Sequence, residues 1–345
     1  MYLDHFGLKQ YPFQLVPDPE FLFMGPQHAH AKAYLDYAVY NRDGFVVVTG
    51  EVGAGKTTLL HKFLGELDPN VLAAKIFQTQ LSATEFLQAV LVEFGLNPFQ
   101  ARKVELMDML NTFLVDRFLE GRQIVLIVDE AQNLSDEALE EIRLLSGLET
   151  HKEKILHVIL LGQPELRDHL DRPEMEQFAQ RVRLRYHIRA LSEPETAAYI
   201  RHRLEVAGAA RDLFAKDVMP TVFQYTGGIP RLVNVLSDTA LVCAFADGAS
   251  SVSSSVLDAA IKELGWVSYA VRKERKAVAD SGGTHSAGGG ASVDSISAAQ
   301  FDALVSTLNG MVGRLGNIEA SLKVIADRMS GSDPSPVVSF PRRQR

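Results

Sequence analysis

Residues 50–57 read Gly50-Glu51-Val52-Gly53-Ala54-Gly55-Lys56-Thr57 and follow directly on the apolar run Phe45-Val46-Val47-Val48. Every fixed position of the phosphate-loop pattern G-x-x-x-x-G-K-[ST] is occupied. The chemistry dictates this placement: a buried strand feeds a loop without side-chain bulk, backbone N–H groups wrap a phosphate, and a helix N-terminus adds partial positive charge. Lys56 is then expected to reach the β- and γ-phosphates, and the Thr57 hydroxyl to ligand magnesium. Strand, loop and helix in that order commit this part of the chain to an α/β fold.

Other short apolar, β-branched runs alternate with longer helical patterns. Phe45–Val48, Ala73–Phe77, Ile124–Val128, Ile155–Leu161 and Leu184–Ile188 read as buried strands, and the alternation predicts a parallel sheet with helices on both faces. Ser82-Ala83-Thr84-Glu85 is a capping-box signal opening Phe86–Phe94, Gly95 lies just past that helix, and Ser135 precedes a helix over Asp136–Leu145. The sheet region is expected over residues 1–190.

From Leu191 the strand signals stop. Ser192-Glu193-Pro194-Glu195 caps a helix to about Val206, a second is expected around Ala215–Tyr225, Pro230 begins a third, and Ser253–Leu264 makes a fourth. These form an all-helical lid domain over 191–279. Residues 280–295 have linker composition. Phe301, Leu304, Leu308, Met311, Leu315, Ile318, Leu322, Ile325 and Met329 then repeat in a/d heptad spacing, which predicts a coiled-coil-like helix over 296–330. One helix cannot bury that stripe alone, so either self-association or partner docking, or folding back onto the body, is expected. Gly310, Gly313 and Gly316 each cost it about 1 kcal/mol of helix propensity. Residues 331–345 read as a disordered tail with a basic end.

A phosphate loop alone does not separate kinase, GTPase and ATPase. The run Ile124-Val125-Leu126-Ile127-Val128-Asp129-Glu130 adds a carboxylate at a strand end, where Asp129 is expected to hold magnesium. Glu130 is placed to polarise water for attack on the γ-phosphate. The adjacent acidic pair argues for hydrolysis, and the chain lacks the guanine-reading Asn-Lys-x-Asp. Gln163, in Gly162-Gln163-Pro164 after the strand Ile155–Leu161, is positioned as a sensor of the γ-phosphate or attacking water. Arg181 lies where it would reach a neighbouring subunit's γ-phosphate, and Arg183 or Arg185 would serve instead. Gly227-Gly228-Ile229-Pro230-Arg231 puts Arg231 in the first turn of a lid helix, poised to touch nucleotide.

Charge and cysteine usage bound the remaining classes. Residues 267–345 contain ten Lys/Arg and seven Asp/Glu of the chain's 35 and 43, so the first 266 residues carry −11 and the remainder +3, for a net −8. An acidic body disfavours non-specific binding to nucleic acid, with Arg181, Arg183, Arg185, His187 and Arg189 as the local exception. The single cysteine, Cys243, excludes an internal disulfide and reads as a packing residue. Neither a signal sequence nor an apolar run approaching the ~18 residues that cross a bilayer is evident, and a cytoplasmic protein is expected.

Taken together these residues resemble the AAA+ superfamily, with Walker A at Gly50–Thr57, Walker B at Ile124–Glu130, a sensor-like Gln163 and sensor 2 in Gly228-Ile229-Pro230-Arg231. Within it the chain is similar to the ExeA/GspA family of secretion ATPases from Tyr2 to about Trp266. Phe6-Gly7-Leu8, Pro12-Phe13, Pro17-Asp18-Pro19, Phe21-Leu22-Phe23, Thr49 to Thr58, Asp129-Glu130-Ala131-Gln132, Gly162 to Leu166 and Gly228 to Arg231 carry the match. The resemblance implies nucleotide contacts over Gly50–Thr58, ATP and Mg2+ as cofactors, and assembly through the nucleotide interface to remodel or position an envelope complex. It also implies that Phe6 to Phe23 wrap near adenine; physically, that aromatic and proline-rich segment suits packing under the sheet equally well. ExeA itself continues into a transmembrane segment and a peptidoglycan-binding domain. The linker and heptad ending seen here looks instead like shorter ATPases found alongside exosortase and exopolysaccharide export systems.

The leading expectation is therefore an ATPase acting on a secretion or exopolysaccharide export machine, oligomeric, with inner-membrane or envelope partners docking through 296–329. A DNA-associated regulator resembling transposition target-selection ATPases is the alternative, supported by the arginine cluster and the basic tail. A nucleotide-gated scaffold with little turnover is a third.

Overall fold

The computed structural model describes residues 2–40, 45–149 and 153–281. Among them, β1 (Phe45–Gly50), β2 (Val71–Ile76), β3 (Gln123–Val128), β4 (Leu156–Gly162) and β5 (Leu184–Ile188) form one sheet in the order β2-β3-β4-β1-β5. Every pairing is parallel, and parallel neighbours need crossovers long enough to carry a helix. α1 (Tyr2–Phe6) and α2 (Pro26–Tyr40) precede β1, and α3 (Lys56–Gly65) leads to β2. α4 (Ala83–Glu93) and α5 (Lys103–Leu119) lead to β3, α6 (Asp136–Leu145) to β4, and α7 (Pro164–Leu170) with α8 (Glu176–Ala179) to β5.

The central strands β1, β3 and β4 each serve two cores. Val46 and Val48 of β1, Val125 and Ile127 of β3, and Ile159 and Leu161 of β4 pack with Leu35 of α2 and Leu59, Leu60 and Phe63 of α3. Their alternate neighbours, Phe45, Val47, Leu126 and Val158 among them, pack with Phe86, Leu110, Ile142 and Phe178 on the other face. Burial on both faces is why these strands read as unbroken apolar runs. The strand expected at Ala73–Phe77 begins at Val71 and stops at Ile76, so Phe77 leaves the sheet and is 52% exposed. The predicted caps are present: Ser82 Oγ accepts from the Glu85 backbone N–H at 3.3 Å, while the Glu85 carboxylate accepts from the Ser82 N–H at 2.9 Å. Ser135 Oγ accepts from Ala138 N–H at 3.2 Å.

The helical part comprises α9 (Glu193–Val206), α10 (Met219–Thr226), α11 (Pro230–Ala246), α12 (Ser254–Glu263) and α13 (Tyr269–Ser281). Its second predicted helix divides into a 3-10 turn at Lys216–Val218 followed by α10. The N-terminal segment corrects one expectation. Tyr2, Phe6, Leu8, Phe13 and Phe21 are buried with Leu204, Val222, Leu236 and Leu257 of the helical part, and not under the sheet. Arg203 explains how that segment is held: it is 7% exposed, its guanidinium donates to the Pro12 and Gln14 carbonyls, and it lies 4.7 Å from the Phe21 ring centroid. A buried arginine needs such carbonyl acceptors to offset its desolvation.

Met1–Glu274 form one compact unit. Asp280 and Ser281, expected to open the linker, close α13. The rest of the linker, the heptad helix at 296–330 and the tail at 331–345 lie outside the described residues.

Candidate functional site: the phosphate loop and the strand ends beside it

The C-terminal ends of β1, β3 and β4 converge on one edge of the sheet, and the loop after β1 turns there into α3. Gly53 and Gly55 take φ of +81° and +91°, a region that side-chain-bearing residues avoid. Gly55 caps α3 without a side-chain hydrogen bond, which leaves the first-turn amides to a phosphate. Lys56 is 5% exposed, and its Nζ donates to the carbonyls of Gly50 at 2.7 Å and Glu51 at 3.1 Å. Burial pushes this ammonium below its ordinary pKa, opposed by the charges of Glu130, Asp129 and Glu51. Ala54 is buried, and its carbonyl meets His28 Nε2 at 2.9 Å. Glu51 and Val52 stand exposed at the rim.

Thr57 Oγ1 donates to Asp129 Oδ2 at 2.9 Å. Asp129 is 3% exposed. Burial holds its carboxyl above the usual carboxylate range, against the hydrogen bonds from the Thr57 hydroxyl and the Glu130 backbone N–H. Two hard oxygen ligands thus meet beside the phosphate loop, with no cluster of three or more His, Cys, Asp or Glu among the described residues. That donor set fits magnesium, which takes one or two protein oxygens and fills the rest of its shell from phosphates and water.

Glu130 sits at φ +52°, one of two non-glycine residues with positive φ among those described. Its Oε2 accepts from Gln132 Nε2 at 2.7 Å and from Gln163 Nε2 at 3.1 Å. The Glu130 carbonyl accepts from Thr79 Oγ1 at 3.1 Å. The loop, Asp129, Glu130 and Gln163 are therefore brought together. Thr79, Gln132 and His28 were not singled out for the site by sequence reasoning. For Gln132 and Thr79 the available signal was a polar side chain just past a buried strand.

Arg231 joins the site from the helical part: its backbone N–H donates to the Gly53 carbonyl at 3.2 Å, and a Cβ on Gly53 would lie 2.4 Å from Arg231 Cβ. Phe21, Leu22 and Phe23 line a cleft with His28, Thr58 and Pro230. This end of the Phe6–Phe23 segment therefore borders the phosphate loop.

The arginines before and within β5 are placed elsewhere. The Arg183 backbone N–H donates to the carbonyl of Phe45, at the far end of β1. Five steps of about 3.3 Å separate that level from Gly50, roughly 17 Å. Arg181 lies beside the Gly147 turn and Arg185 pairs with Asp171. None of the three is level with its own chain's phosphate loop, Arg185 pairing in register with Val47.

No helix among the described residues is long and apolar enough to cross a membrane. Residues 39–170 match the family described as AAA domain. The chain is 38% identical over 268 residues to General secretion pathway protein A of Aeromonas hydrophila, covering 77% of this chain and 49% of that protein. It is 36% identical over 103 residues to ATP-dependent target DNA activator B of Escherichia phage Mu, covering 30% and 31% of the two chains. The chain thus spans about half the length of the first relative and about a third of the second. Among solved structures it is similar to the Aeropyrum pernix ORC2 protein, with a TM-score of 0.56 at 18% identity over 74% of this chain and 72% of that one. The parallel sheet flanked by helices, with a helical region after it, is that of an AAA-type ATPase fold.

Proposed function

We propose that this protein, whose residues 39–170 match the family described as AAA domain, is an ATPase that couples Mg-ATP binding and hydrolysis to assembly or regulation of a bacterial secretion or exopolysaccharide export machine. The observation that carries hydrolysis is the 2.9 Å contact between Thr57 Oγ1 and Asp129 Oδ2, with Glu130 adjoining. Gly50 to Thr58 hold the phosphates, and Thr57 and Asp129 hold the magnesium ion. When bound, that ion neutralises charge on the phosphate oxygens. Glu130 receives the proton of the attacking water, Gln163 orders the same locus, and Arg231 brings the helical lid to the loop. Arg181, with Arg183 or Arg185 as substitutes, completes a neighbour's site in an oligomer.

The secretion assignment rests on 38% identity over 268 residues to General secretion pathway protein A. Placement in the cytoplasm, at the inner membrane through a partner, belongs to the same reading, as does docking through the heptads of 296–329. The exosortase and exopolysaccharide context rests on the sequence resemblance. Phosphate release tests the enzymatic core: wild type should turn over ATP, while Glu130→Gln binds ATP and hydrolyses it slowly. Equal rates would remove Glu130 as the base. The Glu130→Gln form, used as bait in membrane and cytosolic fractions with and without ATP, should capture inner-membrane export proteins only with ATP.

A second reading is a DNA-associated regulator. Likeness to a target DNA activator and the exposed Arg181, Arg183, Arg185 and Arg189 favour it. An ATP-dependent, salt-sensitive shift of duplex DNA mobility would promote it over the first.

A further inference from the structure

Gln132 lies in the 3-10 turn Ala131–Asn133 immediately after Glu130, and both ends of its side-chain amide are used. Nε2 donates to Glu130 Oε2 at 2.7 Å, and Oε1 accepts from the Gln163 backbone N–H at 3.0 Å. The chemistry of the partners fixes this orientation: a backbone N–H only donates and an ionised carboxylate only accepts, so a flipped amide would lose both bonds. Gln163 closes the ring, its own Nε2 reaching the same Glu130 Oε2 at 3.1 Å. Space is reserved for the arrangement at the end of β4, where a Cβ on Gly162 would come within 3.0 Å of Gln132 Oε1.

We propose that Gln132 is a positioning residue for hydrolysis, a brace that fixes the Glu130 carboxylate and ties it to the Gln163 backbone. Both amides sit on Oε2, and among the described residues no donor is seated on Oε1. The brace therefore selects Oε1 as the oxygen that faces water. It also makes a shift of the β4–α7 junction move the carboxylate, because Gln163 N–H and Glu130 are held by one rigid amide plane. Glu130 needs such support: its backbone occupies the left-handed region at φ +52°, which a non-glycine residue holds only where its surroundings over-determine it. The inference rests on the ATPase reading of the same site.

The test is Gln132→Ala in the full chain, measured for phosphate release and for affinity toward a fluorescent ATP analogue. Turnover should fall by about 10-fold or more with KM and analogue affinity within about 3-fold, because the lost contact orients the base and does not bind ground-state nucleotide. Gln132→Glu keeps an acceptor for Gln163 N–H but sets a carboxylate against Glu130, and should be slower than Gln132→Ala. In a Glu130→Gln background, adding Gln132→Ala should change the residual rate by less than about 2-fold, since residues acting as a unit are not additive. Wild-type turnover in Gln132→Ala, or an equal fractional loss in both backgrounds, overturns the inference while the ATPase reading stands. A wild-type chain that binds the analogue yet releases no phosphate overturns both.

Discussion

The backbone N–H of Arg231 donates to the carbonyl of Gly53 at 3.2 Å, so the first turn of α11 is bonded directly to the phosphate loop. Side-chain packing reinforces the bond, because the Arg231 methylenes cover the face of Gly53 where any Cβ would sit. A Gly53→Ala substitution meets two penalties at once: φ of +81°, and a Cβ contact of 2.4 Å. The left-handed conformation alone costs a non-glycine residue about 1–2 kcal/mol. Gly53→Ala is expected to unseat α11 and weaken ATP-analogue binding by roughly 10-fold or more. Affinity equal to wild type, by fluorescence titration, would show that the loop and α11 are not coupled through this contact.

Lys56 donates to two carbonyls of its own loop while buried at 5% exposure. Those bonds compensate its desolvation within the protein, and the same ammonium lies in the loop expected to hold the phosphates. Lys56→Ala should weaken ATP-analogue binding by roughly 100-fold, the equivalent of about 3 kcal/mol for a desolvated charge-assisted contact. Tight binding by the variant, in the same titration, would remove Lys56 from phosphate recognition.

How much of this was legible in the sequence depended on the range of the interaction. β1 and β3 declared themselves because burial on both faces leaves uninterrupted Val, Ile and Leu. The helix starts at Ser82, Ser135 and Ser192 did so because a cap is settled within a few residues. The phosphate loop and Asp129-Glu130 were readable for the same reason. What escaped was set by distant partners. Tyr2 bonds to Asp238 across 236 residues, and nothing local in Tyr2-Leu3-Asp4-His5-Phe6 indicates that it packs on α11. Gln132 was visible only as a polar residue within a motif; its role as a two-ended amide needed the backbone of Gln163, 31 residues away. The levels of Arg181, Arg183 and Arg185 along the sheet likewise became definable only from the β1–β5 register.

The Gly227-Gly228 turn that launches α11 is clamped from outside. Gly227 takes φ +60°, and a Cβ there would strike the Tyr269 ring at 2.2 Å. Arg272, one turn further along α13, lies 4.4 Å from the Trp266 ring centroid and donates to the Tyr225 carbonyl. Tyr269→Ala should therefore loosen the turn ahead of Arg231 and raise the Kd for ATP analogue by about 10-fold, equivalent to about 1.4 kcal/mol. Protease protection of the turn should fall in parallel. If neither quantity moves, α13 rests on the turn without holding it.

Asp238 provides the pH test of the packing between the N-terminal segment and the helical part. Tyr2 donates its hydroxyl to Asp238 Oδ1 at 2.7 Å. Burial raises the Asp238 carboxyl above its ordinary pKa, with the Tyr2 hydrogen bond opposing that shift only in part. A folded-state carboxyl with a raised pKa binds its proton more tightly than the unfolded chain does. Stability contributed here is therefore fully present below the unfolded value and lost as pH rises through the raised one. Asp238→Asn keeps an oxygen acceptor for Tyr2 and removes the charge. It should raise Tm relative to wild type at pH 7–8, with the gap closing as pH falls toward about 4, near the unfolded carboxyl value. Thermal unfolding of both proteins across that range checks the sign, and a gap that widens toward acid pH would show that Asp238 is stabilising as the carboxylate.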